Sequence, residues 1–298
     1  MFLRRILLAD PAGFCVGVKR AVEMLDQALS EISPPVYCYR ELVHNRQVIE
    51  HFIARGVNFV DSLDQVPVGS VLVFSAHGVA PALKEGARRR QLRVIDATCP
   101  FVTRIHDKVK QFVAEGRLVF LVGHREHEEV LGVVGEAAES VLVIENPAEA
   151  EAVQVPEGSK TALVTQTTLS VDDTEKTVSV LRRRFPELAS LPQSDICVAV
   201  RNRQQAVRKL ASEVDRIIVL GAQNSSNSAR LVEVAEAAGA TAHLISSIEQ
   251  LDDLNWQDVE AVGITAGAST PDSFIQTVID KLNQQGNAEI KKLQPITE

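Results

Sequence analysis

VIDATCPFVTRI, at residues 94–105, places a cysteine between a β-branched run and a proline. Val94 and Ile95 favour a strand, whereas Pro100 is a residue type that favours the first position of a helix. A thiol at the start of a helix faces unpaired backbone N–H groups, which stabilise its thiolate form. Cys99 is therefore predicted to lie where a strand passes into a helix and to be a candidate ligand or catalytic group.

Two further cysteines begin the same pattern. The three segments read CVGVKRAVEML from Cys15, CPFVTRIHDKV from Cys99 and CVAVRNRQQAV from Cys197. Apolar residues continue at helical spacing in each segment, which predicts an amphipathic helix after each cysteine. Cys38, inside the strand-like segment PPVYCYREL, does not follow the pattern and is predicted to be a small buried hydrophobic residue.

Polar loops recur at matching distances after the three cysteines. A strand and a polar loop bring His44, His127 and Ser226 to positions 29, 28 and 29 residues after their cysteines. A second strand and loop bring His77, Thr167 and Ser269 to positions 62, 68 and 72 residues after the same cysteines. A repeat of this length is close to the size of a small domain.

The apolar runs alternate with amphipathic helices, which is typical of parallel sheets covered by helices. Ligands of such sheets bind beyond the carboxyl ends of the strands, where all these loops are expected. We therefore predict three similar parallel-sheet α/β domains, arranged with pseudo-threefold symmetry around a central site. The predicted segments are residues 1–98, 99–196 and 197–284, followed by a polar tail at 285–298 that is partly disordered or covers a sheet edge.

Three thiols that meet at one point would suit a metal group. An iron–sulfur cluster normally has four cysteine ligands, so three would leave one iron open to a substrate. Zinc bound by three sulfurs is a second reading, and three inert buried thiols are a third.

The polar loops suit a phosphorylated ligand. Histidine and hydroxyl side chains bind phosphate oxygens, and His44, His77 and His127 all fall in loops after strands. The segment GAQNSSNSA places Ser225, Ser226 and Asn227 where a helix begins, a position that binds anions. No Walker A or dinucleotide-binding glycine pattern occurs, so a small diphosphate is expected rather than ATP or NAD.

Composition limits the partners. The chain of 298 residues has a formal net charge of −8, which disfavours nucleic acid and anionic membranes as main partners. No apolar run approaches the ~20 residues that span a bilayer. A cytoplasmic protein without a disulfide framework is expected.

Nine motifs in order give the chain a family resemblance. They are GFCVGVKRA, LVHN, SAHGV, DATCPFV, TQTTLSVDDT, DIC, NRQ, NSSNS and TAGASTPD. Together they resemble the 4-hydroxy-3-methylbut-2-enyl diphosphate reductases, the iron–sulfur enzymes that end the non-mevalonate isoprenoid pathway. The resemblance covers almost the whole chain.

The resemblance implies a three-domain α/β trefoil that carries one central [4Fe–4S] cluster on Cys15, Cys99 and Cys197. It implies reductive removal of an allylic hydroxyl, with Glu129 as the proton donor and Thr167 near the substrate hydroxyl. The diphosphate-binding residues it implies are His44, His77, His127, Ser225, Ser226, Asn227 and Ser269. Ferredoxin or flavodoxin is the implied electron donor.

Three residues depart from the family pattern. In GHREHEEV, Glu126 stands where a glycine is usual and Glu128 where a proline is usual, and Val200 replaces a hydroxyl residue near the third cysteine. These departures favour an alternative reading, a non-catalytic cluster-binding paralogue that senses redox state. A zinc enzyme acting on a phosphorylated metabolite is the remaining alternative.

Overall fold

The computed structural model describes residues 3–33, 35–190, 195–284 and 288–294. Its strands are β1 (Arg5–Leu8), β2 (Val36–Tyr39), β3 (Val57–Val60), β4 (Val71–Phe74), β5 (Arg93–Asp96), β6 (Leu118–Val122), β7 (Val141–Ile144), β8 (Thr161–Thr165), β9 (Ala189–Ser190), β10 (Arg216–Leu220), β11 (Thr241–Ile245), β12 (Ala261–Ala266) and β13 (Glu289–Lys292).

The helices lie between these strands. They are α1 (Val16–Glu31), α2 (Arg46–Ala54), α3 (Pro81–Arg89), α4 (Pro100–Ala114), α5 (Glu128–Val134), α6 (Pro147–Ala152), α7 (Val171–Arg184), α8 (Val198–Ala211), α9 (Ser226–Ala237) and α10 (Asp272–Leu282). None of these helices is both long and apolar enough to cross a lipid bilayer.

The strands form three parallel sheets, as the sequence predicts. The orders are β3-β2-β4-β5, β7-β6-β8-β9 and β11-β10-β12-β1-β13. All three share one plan, in which the first of three consecutive strands lies between the next two and a fourth strand joins the outer side of the third. The fold class of three similar parallel α/β sheets is thus confirmed.

One sheet joins the two ends of the chain. Strand β1 pairs in parallel with β12, with Arg5 opposite Ala261, and it pairs on its other side with β13. The first strand of the predicted segment 1–98 therefore belongs to the sheet of the C-terminal segment. In the predicted tail, β13 forms the sheet edge, while residues 285–287 and 295–298 lie outside the described residues.

The central strands are buried on both faces because helices cover them. Every residue of β4, β8 and β12 is buried. Such strands read as continuous apolar runs rather than alternating ones, which is the pattern that the sequence shows.

The chain divides into two compact units. One comprises Met1–Val16, His44–Val48 and Val198–Glu298, and contains the five-stranded sheet. The other comprises Gly17–Val43 and Ile49–Cys197, and contains both four-stranded sheets. The three-segment boundaries near residues 98 and 196 stay a prediction.

Candidate active site

Three cysteines occupy the same local position. Cys15, Cys99 and Cys197 directly precede α1, α4 and α8, and each is a partly buried thiol. The first backbone N–H groups of a helix have no partner within the helix and favour negative charge nearby. The three thiols thus lie in equivalent local environments at helix starts.

The same backbone hydrogen bond holds all three cysteines. Each backbone N–H donates to a carbonyl oxygen at 3.0 Å: Cys15 to Ala268, Cys99 to Ala76 and Cys197 to Thr167. Each acceptor lies two residues beyond the end of a buried strand, namely β12, β4 and β8. Every sheet thus fixes one cysteine beside the loop that leaves its carboxyl end.

Cys38 differs from the other three, as the sequence predicts. It lies in β2 with no exposed surface. Burial raises the pKa of the Cys38 thiol, and the negative charge of Glu128 raises it further. The thiol therefore stays protonated at neutral pH and is a poor metal ligand.

Glu129 and Thr167 form a buried pair. The Thr167 backbone N–H donates to Oε1 of Glu129 at 2.7 Å, and its hydroxyl donates to Oε2 at 2.9 Å. Glu129 is 2% exposed and Thr167 is 5% exposed. Both carboxylate oxygens are thus fixed by a single residue, which in turn accepts the N–H of Cys197 through its carbonyl oxygen.

Burial changes the acidity of Glu129. Removal from water raises the pKa of this carboxyl to about 7, although the two hydrogen bonds from Thr167 act in the opposite direction. An acid with this pKa is present in both protonation states near neutral pH. It can therefore give up and regain a proton under physiological conditions.

The loop after β4 directs His77 toward the first turn of α5. His77 Nδ1 lies 3.0 Å from Oε2 of Glu128, and Arg40 lies 3.7 Å from the other oxygen of that carboxylate. The rings of His77 and His127 pack edge to face, with centroids 5.9 Å apart. His127 also caps α5, since its Nδ1 accepts the Glu129 N–H at 3.2 Å.

The N-terminus of α9 carries the polar cluster that the sequence predicts. Ser225 is the N-cap and accepts the backbone N–H of Ser228 at 3.3 Å. Ser226 is the first residue of the helix. Asn227 is 5% exposed, and neither its Nδ2 nor its Oδ1 has a hydrogen-bond partner among the described residues. An unpaired buried amide is costly unless a ligand or water satisfies it.

Ser269 and His44 lie together in the unit that contains the five-stranded sheet. The Ser269 hydroxyl donates to the carbonyl oxygen of His44 at 2.8 Å. His44, His127 and Ser225 each lie five residues beyond the end of their strands, β2, β6 and β10. Ser225, rather than Ser226, therefore corresponds to the two histidines in its distance from the end of the preceding strand.

Sequence reasoning missed two residues near these groups. Arg40 has a left-handed backbone with φ of 56°, and its guanidinium faces Glu128. Asp195 is buried and accepts the Thr165 N–H at 3.1 Å, and burial raises the pKa of its carboxyl to about 6. Neither interaction has a local sequence signal, because both partners lie far away along the chain.

The departures from the family pattern have different surroundings. Glu126 is exposed, whereas Glu128 is partly buried and pairs with His77. Val200 is 3% exposed within α8, so it contributes to the packing of that helix.

Comparisons with known proteins agree along almost the whole chain. The model of the family described as LytB protein matches residues 6–283. The 4-hydroxy-3-methylbut-2-enyl diphosphate reductase of Acidothermus cellulolyticus is 48% identical over 292 residues, which cover 97% of this chain and 86% of that protein. The reductase of the same name from Rhodococcus opacus is 49% identical over 295 residues, covering 99% of this chain and 87% of the relative.

A solved structure also matches. The E-1-hydroxy-2-methyl-but-2-enyl-4-diphosphate reductase of Plasmodium falciparum superposes with a TM-score of 0.96 and 34% sequence identity, covering 99% of this chain and 93% of that one. Sequence and fold therefore agree on one assignment. The chain belongs to the LytB family of oxidoreductases.

Proposed function

We propose that the chain reduces (E)-4-hydroxy-3-methylbut-2-enyl diphosphate to isopentenyl diphosphate and dimethylallyl diphosphate. The allylic C–O bond breaks, two electrons and two protons enter, and the hydroxyl oxygen leaves as water. The buried Glu129–Thr167 pair carries the proposal, because it supplies an acid with a pKa of about 7 beside a cysteine of the predicted ligand set.

The proposed cofactor is one [4Fe–4S] cluster held by Cys15, Cys99 and Cys197. The donor set fits, because all three are partly buried thiols at helix starts and are held by equivalent backbone hydrogen bonds. With three protein ligands, such a cluster supplies electrons and one open, Lewis-acidic iron site. Cys38 is excluded from the set by its burial and raised pKa.

Glu129 is the proposed proton donor, and Thr167 is the residue through which its proton reaches the substrate hydroxyl. The hydroxyl of Thr167 lies 2.9 Å from the carboxylate, within range for proton transfer. When Glu129 is protonated, it can donate to the Thr167 oxygen while the Thr167 hydroxyl donates to the leaving oxygen. This exchange delivers a proton without exposing the carboxyl to water.

The diphosphate is proposed to bind the polar side chains that the family resemblance implies. They are His44, His77, His127, Ser225, Ser226, Asn227 and Ser269. The unpaired amide of Asn227 at the start of α9 supports this assignment, because phosphate oxygens would satisfy its Nδ2. Ferredoxin or flavodoxin as electron donor and a cytoplasmic location stay predictions.

One anaerobic experiment tests the proposal. The protein is purified without oxygen, its iron and sulfide are measured, and the substrate is supplied with dithionite and a dye mediator. We expect iron, sulfide and formation of both five-carbon diphosphates. Iron and sulfide without turnover, together with no spectral change on adding substrate, would instead support the redox-sensing alternative. Zinc without iron would support the zinc enzyme.

A further inference from the structure

We infer that Glu128 is a positioning residue that holds His77 as an anion donor, and that Arg40 holds Glu128 in turn. The inference rests on the proposed function in one respect, since it takes His77 to bind the diphosphate. It adds two residues, Glu128 and Arg40, that act on the substrate through that histidine.

The imidazole ring of His77 is held along one edge. Its Nδ1 lies 3.0 Å from Oε2 of Glu128, and the Ser75 hydroxyl lies 3.4 Å from the same nitrogen. Because this edge of the ring faces the carboxylate, an anion that binds His77 does so through Nε2. The side chains of His77 and Glu128 are only 15% and 19% exposed, so bulk solvent screens the pair weakly.

An anion that binds at Nε2 of His77 requires a proton on that nitrogen. A neutral imidazole that donates from Nδ1 to a carboxylate carries a lone pair on Nε2, which repels phosphate oxygens. The doubly protonated ring donates from both nitrogens, and an adjacent carboxylate favours this charged form. Glu128 therefore both orients the ring and keeps Nε2–H available to a diphosphate.

The negative charge of Glu128 would repel an anionic substrate, and Arg40 offsets this charge. Its guanidinium lies 3.7 Å from Oε1 of Glu128 and compensates the carboxylate charge. With a protonated His77, the three groups carry a net charge of +1. Within the same compact unit, the nearby titratable groups include His127, whose ring packs against His77, and Cys38, whose acidity Glu128 already affects.

The test compares two isosteric variants with the same loss of charge. Glu128→Gln keeps a hydrogen-bond acceptor for Nδ1 but removes the carboxylate. Glu126→Gln removes an exposed carboxylate from the loop two residues before Glu128 and is the matched control. The affinity of each oxygen-free holoenzyme for inorganic diphosphate is measured by calorimetry at pH 6, 7 and 8. Two buffers of different ionisation enthalpy also give the number of protons taken up on binding.

At pH 8 we expect Glu128→Gln to bind diphosphate about tenfold more weakly than the wild type, because an unassisted histidine is mostly neutral there. At pH 6 the difference should shrink to about twofold, since the ring is then protonated without help. The variant should also take up more protons on binding at pH 8, and Glu128→Asp should recover part of the affinity. Glu126→Gln should match the wild type at every pH.

Two results would overturn the inference separately from the proposed function. If Glu128→Gln binds diphosphate like the wild type at pH 8, or if both variants lose affinity equally, Glu128 does not position His77. If the wild type itself binds no diphosphate at any pH, the proposed diphosphate site fails and this inference fails with it.

Discussion

The acidity of the Glu129 carboxyl is determined by its burial. An exposed glutamate has a pKa near 4.5, whereas burial raises that of Glu129 to about 7 despite two hydrogen bonds from Thr167. Sequence alone identifies the residue through its family motif, but the change in acidity depends on water being excluded by residues distant in sequence.

Replacing Glu129 by Gln should lower turnover at least ~100-fold, the usual contribution of a general acid. The amide retains both contacts to Thr167 but has no acidic proton to give. Iron and sulfide content should be unchanged. The measurement is anaerobic turnover with dithionite and a dye mediator. Undiminished turnover would remove Glu129 from the proton pathway.

The same substitution should change how stability depends on pH. Because the folded-state pKa of Glu129 is raised, its contribution to stability is fully present below about pH 4.5 and is lost as pH rises through about 7. The wild type should therefore lose stability from pH 5 to pH 8, whereas Glu129→Gln lacks this loss. The difference in free energy of unfolding between the two proteins should shift in favour of the variant by up to about 3 kcal/mol over this range. Urea unfolding at both pH values measures this gain. Glu126→Gln serves as the exposed control, and an equal gain in both variants would show that the burial of Glu129 is not the cause.

At the scale of elements, packing at the N-terminus of α9 requires the loop that contains Gly267 to approach the helix closely. A Cβ added to Gly267 would lie 2.2 Å from Oγ of Ser228 and 3.4 Å from its Cβ. Ser228 in turn donates its hydroxyl to the N-cap residue Ser225 at 3.1 Å. The absence of a side chain at position 267 thus allows the capped helix start to pack beside this loop.

Gly267→Ala should destabilise the protein by about 1–3 kcal/mol, the usual cost of overpacking. It should also weaken the binding of inorganic diphosphate. Adding Ser228→Ala removes the 2.2 Å contact. The double variant should therefore lose less stability than the two single variants lose in total. Thermal unfolding of all four proteins completes the cycle. Additive losses would show that the contact with Ser228 is not the cause.

The sequence predicts these elements well where the signal is local. Continuous apolar runs indicate the buried strands, and the cysteine segments indicate the helices that follow them. The pairing of β1 with β12 and β13 does not follow from the sequence pattern, because nothing within residues 5–8 encodes a partner at the other end of the chain. The contact of Glu128 with His77 escapes sequence reasoning for the same reason, although the sequence does indicate Glu128 as an unusual carboxylate near the predicted site.

At the scale of the whole molecule, three sheets of one plan each hold one cysteine. Replacing Cys15, Cys99 or Cys197 by serine should therefore remove iron to a similar extent, because the positions are equivalent. Cys38→Ser should retain iron, since that thiol is buried and protonated. Anaerobic iron and sulfide analysis measures the outcome. Full iron content in any of the first three variants would exclude that residue as a ligand.

The pairing of β1 with β12 also constrains the order of events during synthesis. Cys15 donates its N–H to the carbonyl oxygen of Ala268, so this bond cannot form until Ala268 has left the ribosome. Both four-stranded sheets, by contrast, are contiguous enough to assemble while translation continues. Any group that needs Cys15 in its final position is therefore inserted only after Ala268 has been synthesised, and a product truncated before that residue would lack the bond that holds Cys15.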